Sequence, residues 1–108
     1  MKFRFSFETL MKVRQARRDE AERDYRLALA KADEQRTRLS NMRLDVSKAR
    51  LEMQNIRETG GKLSAALISV EDFLVGQKVR IQNQLKTLKG LDEIVEQKRL
   101  ILVETAKE

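Results

Sequence analysis

The chain has 108 residues, of which 37% are charged and only 5% aromatic, and it contains no proline, tryptophan, cysteine or histidine. Without cysteine there is no disulfide or thiolate chemistry, and without histidine the commonest general base and metal ligand are missing. This composition is typical of long helices or coiled coils rather than of a globular core. No stretch approaches the ~20 apolar residues of a membrane span, so we expect no membrane insertion. No continuous apolar run follows the first basic residues, so we expect no secretory signal.

The net charge of +6 is concentrated at the N-terminus, where residues 1–18 contain six basic side chains and one acidic side chain. Three of the four phenylalanines, Phe3, Phe5 and Phe7, lie in the same stretch. Ser6 is suited to cap a helix, and Phe5 and Leu10 then occupy the two positions of a hydrophobic staple. We therefore predict a short lead-in followed by a helix that starts near residue 6.

A long apolar stripe follows in this first helix, with intervals that alternate between four and three residues. This is the a/d pattern of a coiled-coil heptad. Its positions are Ala21, Tyr25, Ala28, Ala32, Gln35, Leu39, Met42, Val46, Ala49, Met53 and Ile56. The pattern predicts a helix over about residues 6–58.

The strongest break in the chain is the glycine pair Gly60-Gly61, which predicts a turn over residues 59–62. A second helix is predicted over about residues 63–107, because the same spacing returns there. Its stripe consists of Leu67, Val70, Leu74, Gln77, Ile81, Gln84, Leu88, Leu91, Val95, Lys98 and Leu102.

Two long helices joined by a tight turn are expected to fold back on each other. The predicted fold is therefore all-α, an antiparallel two-helix coiled-coil hairpin that forms one domain over residues 1–108. Setting Ile56 opposite Leu67 brings Met42 near Ile81. The same alignment leaves residues 1–14 beyond the second helix, with apolar side chains and cations that call for a partner.

Several polar or small residues interrupt these stripes and faces, and each allows two interpretations. Gln35, Gln77 and Gln84 either fix the register of the helices or contact a partner. Gly76 and Gly90 lie two heptads apart on one outer face of the second helix, and each costs ~1 kcal/mol in a helix interior. Either that face tolerates glycine, or the backbone of a partner approaches closely there.

The sequence contains no pattern that indicates an enzyme, a metal site or a cofactor. The acidic group around Asp19 alternates with arginines one helical turn away, as on a solvated ion-pair face. The stretch TGGKLS lacks the glycine spacing of a phosphate-binding loop. The basic end has no groove or stacking platform for nucleic acid, so a basic nucleic-acid-associated hairpin is a less favoured alternative.

The N-terminal run MKFRFSFETLMKVRQARRDEAERDYRLALAKA resembles the beginning of the FliJ family, the coiled-coil protein of the bacterial flagellar type III export apparatus. SVEDFLVGQKVRIQNQ and VEQKRLILVETAKE are similar to the second helix of that family. Family members usually continue for some tens of residues beyond this last stretch. If that tail pairs with residues 1–14 in other members, it would cover the apolar overhang.

The resemblance implies a cytoplasmic protein, peripheral at the inner membrane. Its implied roles are to act as the central stalk of the hexameric export ATPase, to contact the export gate membrane protein and to escort export chaperones. The ATPase end would comprise Phe3, Phe5, Phe7, Leu10, Val13, Arg14, Arg17 and Arg18. A gate-facing flank would comprise Phe73, Gln77 and Arg80, of which only Phe73 matches the aromatic position of the family. The alternatives are an equivalent stalk of a virulence-type secretion system and a generic dimeric structural coiled coil.

Overall fold

The computed structural model describes residues 6–60 and 64–107, and over these residues the chain forms two α-helices. Helix α1 spans Phe7–Glu58 and helix α2 spans Ala65–Ala106. The helices pack against each other, and neither described range contains a strand. The predicted all-α two-helix hairpin is therefore confirmed.

Both helices begin directly after a serine whose side chain caps the first turn. The hydroxyl oxygen of Ser6 accepts the backbone N–H of Thr9 at 3.1 Å, as expected for α1. The hydroxyl oxygen of Ser64 accepts the backbone N–H of Leu67 at 3.1 Å. The second helix was expected from about residue 63, and this cap instead starts it at Ala65.

Helix α1 ends at a glycine in the left-handed conformation. Gly60 has a φ of 81°, which glycine adopts without steric cost, and its N–H donates to the carbonyl of Arg57 at 3.2 Å. The N–H of Thr59 donates to the carbonyl of Asn55 at 3.1 Å. The predicted turn thus begins as expected, and residues 61–63 lie outside the described residues.

Each of the two helices contributes residues to two compact units. The terminal unit pairs α1 through Asp33 with α2 from Gly90 onward. Its buried side chains are the alanines of the α1 stripe, Ala21, Ala28 and Ala32. On the α2 side, the half-buried stripe residues include Leu91, Val95 and Leu102. Ala28 and Leu91 line the same groove, so a small residue of α1 lies beside a larger one of α2.

The turn unit, Glu34–Lys89, has a core of stripe residues from both helices. The buried apolar side chains are Leu39, Ala49, Leu67, Val70 and Leu88. Gln77 and Gln84 are buried among them. Nε2 of Gln84 donates to the carbonyl of Gln35 at 3.1 Å and to its side-chain oxygen at 2.8 Å. This paired layer supports the interpretation that the glutamines fix the register.

A second hydrogen bond between the helices agrees with the predicted alignment of the turn unit. Nε2 of Gln77 donates to the backbone carbonyl of Met42 at 3.1 Å. A helical carbonyl points toward the C-terminus of its helix, so Met42 reaches α2 residues that precede its level partner. Gln77 lies one turn before Ile81, the residue that the sequence places level with Met42.

Candidate partner-binding surfaces

The first described surface is the N-terminal end of α1, where apolar side chains lie open to solvent. Phe7 is 77% exposed, and Leu10, Met11 and Val13 are also exposed. Phe3 and Phe5 belong to the same predicted site but lie outside the described residues. Exposed apolar side chains that cluster beside cations are typical of a protein-binding surface.

The basic residues of this end divide between two neighbouring strips of the helix. By helical spacing, Arg14 and Arg18 continue the strip that begins at Phe7, whereas Arg17 continues the strip of Leu10 and Val13. Arg14 and Arg18 are half-buried at stripe positions, and Arg17 is exposed. The structure therefore brings the described members of the predicted site onto one side of α1.

Arg18 is only partly satisfied in this position. Its Nε atom is buried and has no hydrogen-bond partner among the described residues. Burying an N–H donor without a hydrogen-bond partner costs free energy, so Arg18 stabilises this stripe position less than an apolar residue would.

The second surface is the cluster formed by Phe73, Gly76, Gln77 and Arg80 on α2, here called the Arg80 cluster. The guanidinium of Arg80 lies 5.5 Å from the centre of the Phe73 ring, within cation–π range. Nε of Arg80 donates to Oε1 of Gln77 at 2.7 Å, and Nη2 donates to the backbone carbonyl of Phe73 at 3.4 Å. These contacts hold the arginine along the helix rather than extended into solvent.

Gln77 does not lie on the exposed flank that the resemblance implies for it together with Phe73 and Arg80. It is 4% exposed, because its amide points between the helices and donates to the carbonyl of Met42. A partner can therefore touch Phe73 and Arg80, while Gln77 only orients Arg80 through its side-chain oxygen. This corrects the prediction for one of the three residues.

Gly76 belongs to the same cluster and was not assigned to it from the sequence. A Cβ at this position would lie 2.9 Å from Nη1 and 3.3 Å from Nη2 of Arg80. The missing side chain makes room for the guanidinium to lie flat along the helix. The signal in the sequence is the spacing of Phe73, Gly76, Gln77 and Arg80, which places all four on adjoining turns.

A shallow groove beside Phe73 carries charges of both signs. Its walls include Asp45, Lys48 and Glu52 from α1 and Val70 and Phe73 from α2. Acidic and basic groups alternate there, so the groove has no strong preference for an anionic or a cationic partner.

Within the described residues, no group of three or more acidic side chains is arranged to hold a metal ion. The resolved pKa changes belong to one surface pair. The pKa of Glu96 lies below its ordinary value because Arg99 donates hydrogen bonds to it, at 2.6 Å for the shorter one, and the pKa of Arg99 is raised by the same contact. This is an exposed ion pair of a helix surface, and the absence of catalysis stays a prediction.

Neither of the described helices has the length and apolar character needed to cross a membrane. Comparison of the chain with family models, with curated proteins and with solved structures found no match. The resemblance to the FliJ family therefore stays a prediction that rests on the N-terminal run and the second-helix stretches.

Proposed function

We propose that this protein is a non-catalytic stalk of the flagellar export apparatus, a member of the FliJ family that seats its N-terminal end in the hexameric export ATPase. The observation that carries the proposal is the exposed apolar surface formed by Phe7, Leu10 and Val13 on one side of α1, beside Arg14 and Arg17. This surface belongs to a two-helix hairpin. The resemblance of the N-terminal run to that family is the reason for proposing the export ATPase as the partner.

In this proposal the stalk acts through contact surface rather than chemistry. Apolar side chains at the end of α1 insert against the inner surface of the ring, and the arginines pair with acidic groups that line it. An asymmetric helix pair inside a ring contacts its subunits unequally. It thereby biases their conformations and promotes both assembly and ATP hydrolysis.

The Arg80 cluster is the proposed contact with the export gate. Phe73 offers an aromatic face that is partly exposed, and Arg80 is held beside it by Gln77. The protein would then be cytoplasmic and peripheral at the inner membrane, and would hand empty export chaperones to the gate.

The test is stimulation of the cognate export ATPase by the full chain and by the triple variant Phe7→Ala/Leu10→Ala/Val13→Ala. The matched control is Leu27→Ala/Leu44→Ala/Leu51→Ala, which removes three exposed leucines elsewhere on α1. We expect the first variant to lose stimulation and the control to keep it. Both should retain the helical circular dichroism of the parent chain, because the side chains removed are exposed.

Full stimulation by the first variant would contradict docking through this end. An ATPase from a virulence-type system that responds more strongly than the flagellar enzyme would favour the equivalent stalk of that system. A stable dimer in light scattering would favour the structural coiled coil. Salt-dependent DNA binding at physiological ionic strength would favour the nucleic-acid-associated hairpin.

A further inference from the structure

One flank of the turn unit carries a row of arginines that neither of the proposed contacts uses. In α1 an arginine recurs every seven residues, at 36, 43, 50 and 57. Residues seven apart lie almost directly above one another on a helix, so these side chains follow one edge of the helix pair. Arg43, Arg50 and Arg57 together with Lys78 of α2 form the surface here called the arginine flank.

The ion pair between Arg57 and Glu71 shows which α2 residues border this edge. The two side chains approach to 3.8 Å and are about half exposed. The helices are antiparallel, so a step of seven residues back from Arg57 along α1 corresponds to a step of seven residues forward from Glu71 along α2. These steps place Arg50 beside Lys78. Arg50 and Lys78 also line the same groove. Opposite charges therefore meet at Arg57 and Glu71, whereas one heptad away two positive charges, Arg50 and Lys78, lie beside each other.

The unpaired cations of this flank have no carboxylate within reach along their own helix. No acidic residue lies three or four positions before or after Arg43, Arg50 or Lys78. These three side chains are exposed, and none of them forms an ion pair with another described residue. The flank thus presents positive charge that the described part of the chain leaves unbalanced.

The groove between these cations has an apolar floor. It is lined by Val46 and Arg50 of α1 and by Leu74, Lys78, Ile81 and Gln82 of α2. Val46, Leu74 and Ile81 are half-buried, and Leu85 continues the apolar strip with 42% of its surface exposed. Leu74 and Ile81 are seven residues apart, which is the repeat with which a third helix would place its own side chains.

The opposite flank of the same unit provides the contrast. Its groove carries Asp45 and Glu52 beside Lys48, so positive and negative charges offset each other there. Charge therefore distinguishes the two flanks of the turn unit. Of these two grooves, the one at the arginine flank combines an apolar floor with cations on both sides that form no ion pair with a described residue.

We propose that the arginine flank binds an acidic amphipathic helix of a partner protein. The apolar stripe of that helix would pack on Val46, Leu74 and Ile81, and its flanking carboxylates would pair with Arg50 and Lys78 on the two sides, with Arg43 extending the site. The inference is independent of the proposed export function, because it uses neither the N-terminal end nor the Arg80 cluster.

A helix fits this flank better than an anionic membrane surface or a second copy of the chain. The apolar side chains form the floor of a groove, where a ridge can reach them, whereas a flat lipid surface would meet the cations at the rims first. A second copy would bring another row of arginines against this one, and the whole chain carries a net charge of +6.

The experiment measures the fluorescence anisotropy of a labelled synthetic peptide of about 21 residues, three heptads with leucine at a and d and glutamate at e and g. It is added to the full chain, to Arg50→Glu/Lys78→Glu, and to the control Lys48→Glu/Lys86→Glu. Both variants reverse two exposed cations of the turn unit, so their net charges are identical. We expect the first variant to weaken binding by at least ~10-fold and the control by less than ~2-fold.

A second peptide with lysine in place of glutamate supplies the charge-reversal test. It should bind Arg50→Glu/Lys78→Glu and should not bind the parent chain, since the apolar contacts are kept and only the signs are exchanged. Circular dichroism of each variant shows that the hairpin is intact. The milder variant Arg50→Gln/Lys78→Gln should bind the acidic peptide with intermediate affinity.

Four results would overturn the proposal. The first is the absence of peptide binding by the parent chain, and the second is equal weakening in both reversed variants, which would indicate attraction by net charge alone. The third is binding to phosphatidylglycerol vesicles that Arg50→Glu/Lys78→Glu abolishes while the peptide does not bind, which would assign the flank to a lipid surface. The fourth is a dimer in light scattering that the same variant dissociates, which would assign it to a second copy.

Discussion

Replacing Gly90 by alanine should stabilise the protein, because nothing in the structure requires a glycine there. A Cβ at Gly90 would meet no atom within 4 Å, and the backbone is helical. Glycine in a helix interior is less favourable than alanine by about 0.8–1.0 kcal/mol, so Gly90→Ala should raise the free energy of unfolding by that amount. In a chain of this size the melting temperature should rise by roughly 4 °C or more.

Gly76→Ala provides the internal comparison, since it gains the same helix propensity at a crowded position. Its Cβ would lie 2.9 Å from Nη1 of Arg80, so the guanidinium must move away from the Phe73 ring and from the Phe73 carbonyl. An exposed cation–π contact contributes about 0.5–1 kcal/mol. The net gain from Gly76→Ala should therefore fall to between zero and about 0.5 kcal/mol.

The assay is urea unfolding followed by circular dichroism, with both glycine variants measured in the parent chain and in an Arg80→Ala background. Removing Arg80 removes the obstacle, so Gly76→Ala should then recover the full gain of about 1 kcal/mol. Gly90→Ala should give the same gain in both backgrounds. The reasoning fails if Gly76→Ala matches Gly90→Ala while Arg80 is present, or if Gly90→Ala does not stabilise the chain.

Three further predictions follow from single contacts. Arg18→Met should raise the urea midpoint, by about 1 kcal/mol in unfolding free energy, because it removes a buried Nε that lacks a partner; a lower midpoint would contradict this. Gln35→Leu/Gln84→Leu should also raise the free energy of unfolding, by about 1 kcal/mol. This variant should self-associate in light scattering, because it loses the polar layer that specifies how the helices pair. A destabilised monomer would show that the layer is needed for folding. The pKa of Glu96, followed by carbon NMR, should lie below its ordinary value and return to it in Arg99→Ala. Because the pKa of Glu96 is lower in the folded state, the pair stabilises the fold above the unfolded-state pKa. That stabilisation is lost as the pH falls through the folded-state pKa. An unchanged titration of Glu96 in Arg99→Ala would refute the assignment.

The long-range order of this fold could be predicted from the sequence because it depends on one repeating pattern. Alternating intervals of three and four place a stripe along each helix, and the glycine turn makes the two stripes face each other. The cap at Ser6 is also predictable, because a serine directly before a helical run is favoured as an N-cap. The cap at Ser64 is harder to predict, because the glycine pair at 60–61 alone favours a helix start near residue 63.

Side-chain direction within a helix could not be predicted from spacing alone. Gln77 occupies a stripe position and also lies one turn from Phe73, so the sequence permitted it to face either the other helix or the outside. The carbonyl of Met42 decides the matter, because a buried amide needs a partner and this oxygen is within 3.1 Å. Gln77 in turn sets the direction of Arg80, because its side-chain oxygen accepts a hydrogen bond from Nε of that arginine. The space left by the missing side chain of Gly76 accommodates the guanidinium.

The arginine flank shows that a nearly zero net charge over a long segment can conceal a locally charged surface. Outside residues 1–18 the chain is nearly neutral, and most of its charges have an opposite charge one turn away. Whether an arginine is balanced also depends on which residue of the other helix lies beside it, and that is a property of the packing. Arg57 meets Glu71, whereas Arg50, one heptad earlier, borders a groove that it shares with Lys78. Like charges on opposite rims of a groove destabilise the isolated helix pair slightly, so a third helix that supplies carboxylates there would relieve the repulsion as well as cover the apolar floor.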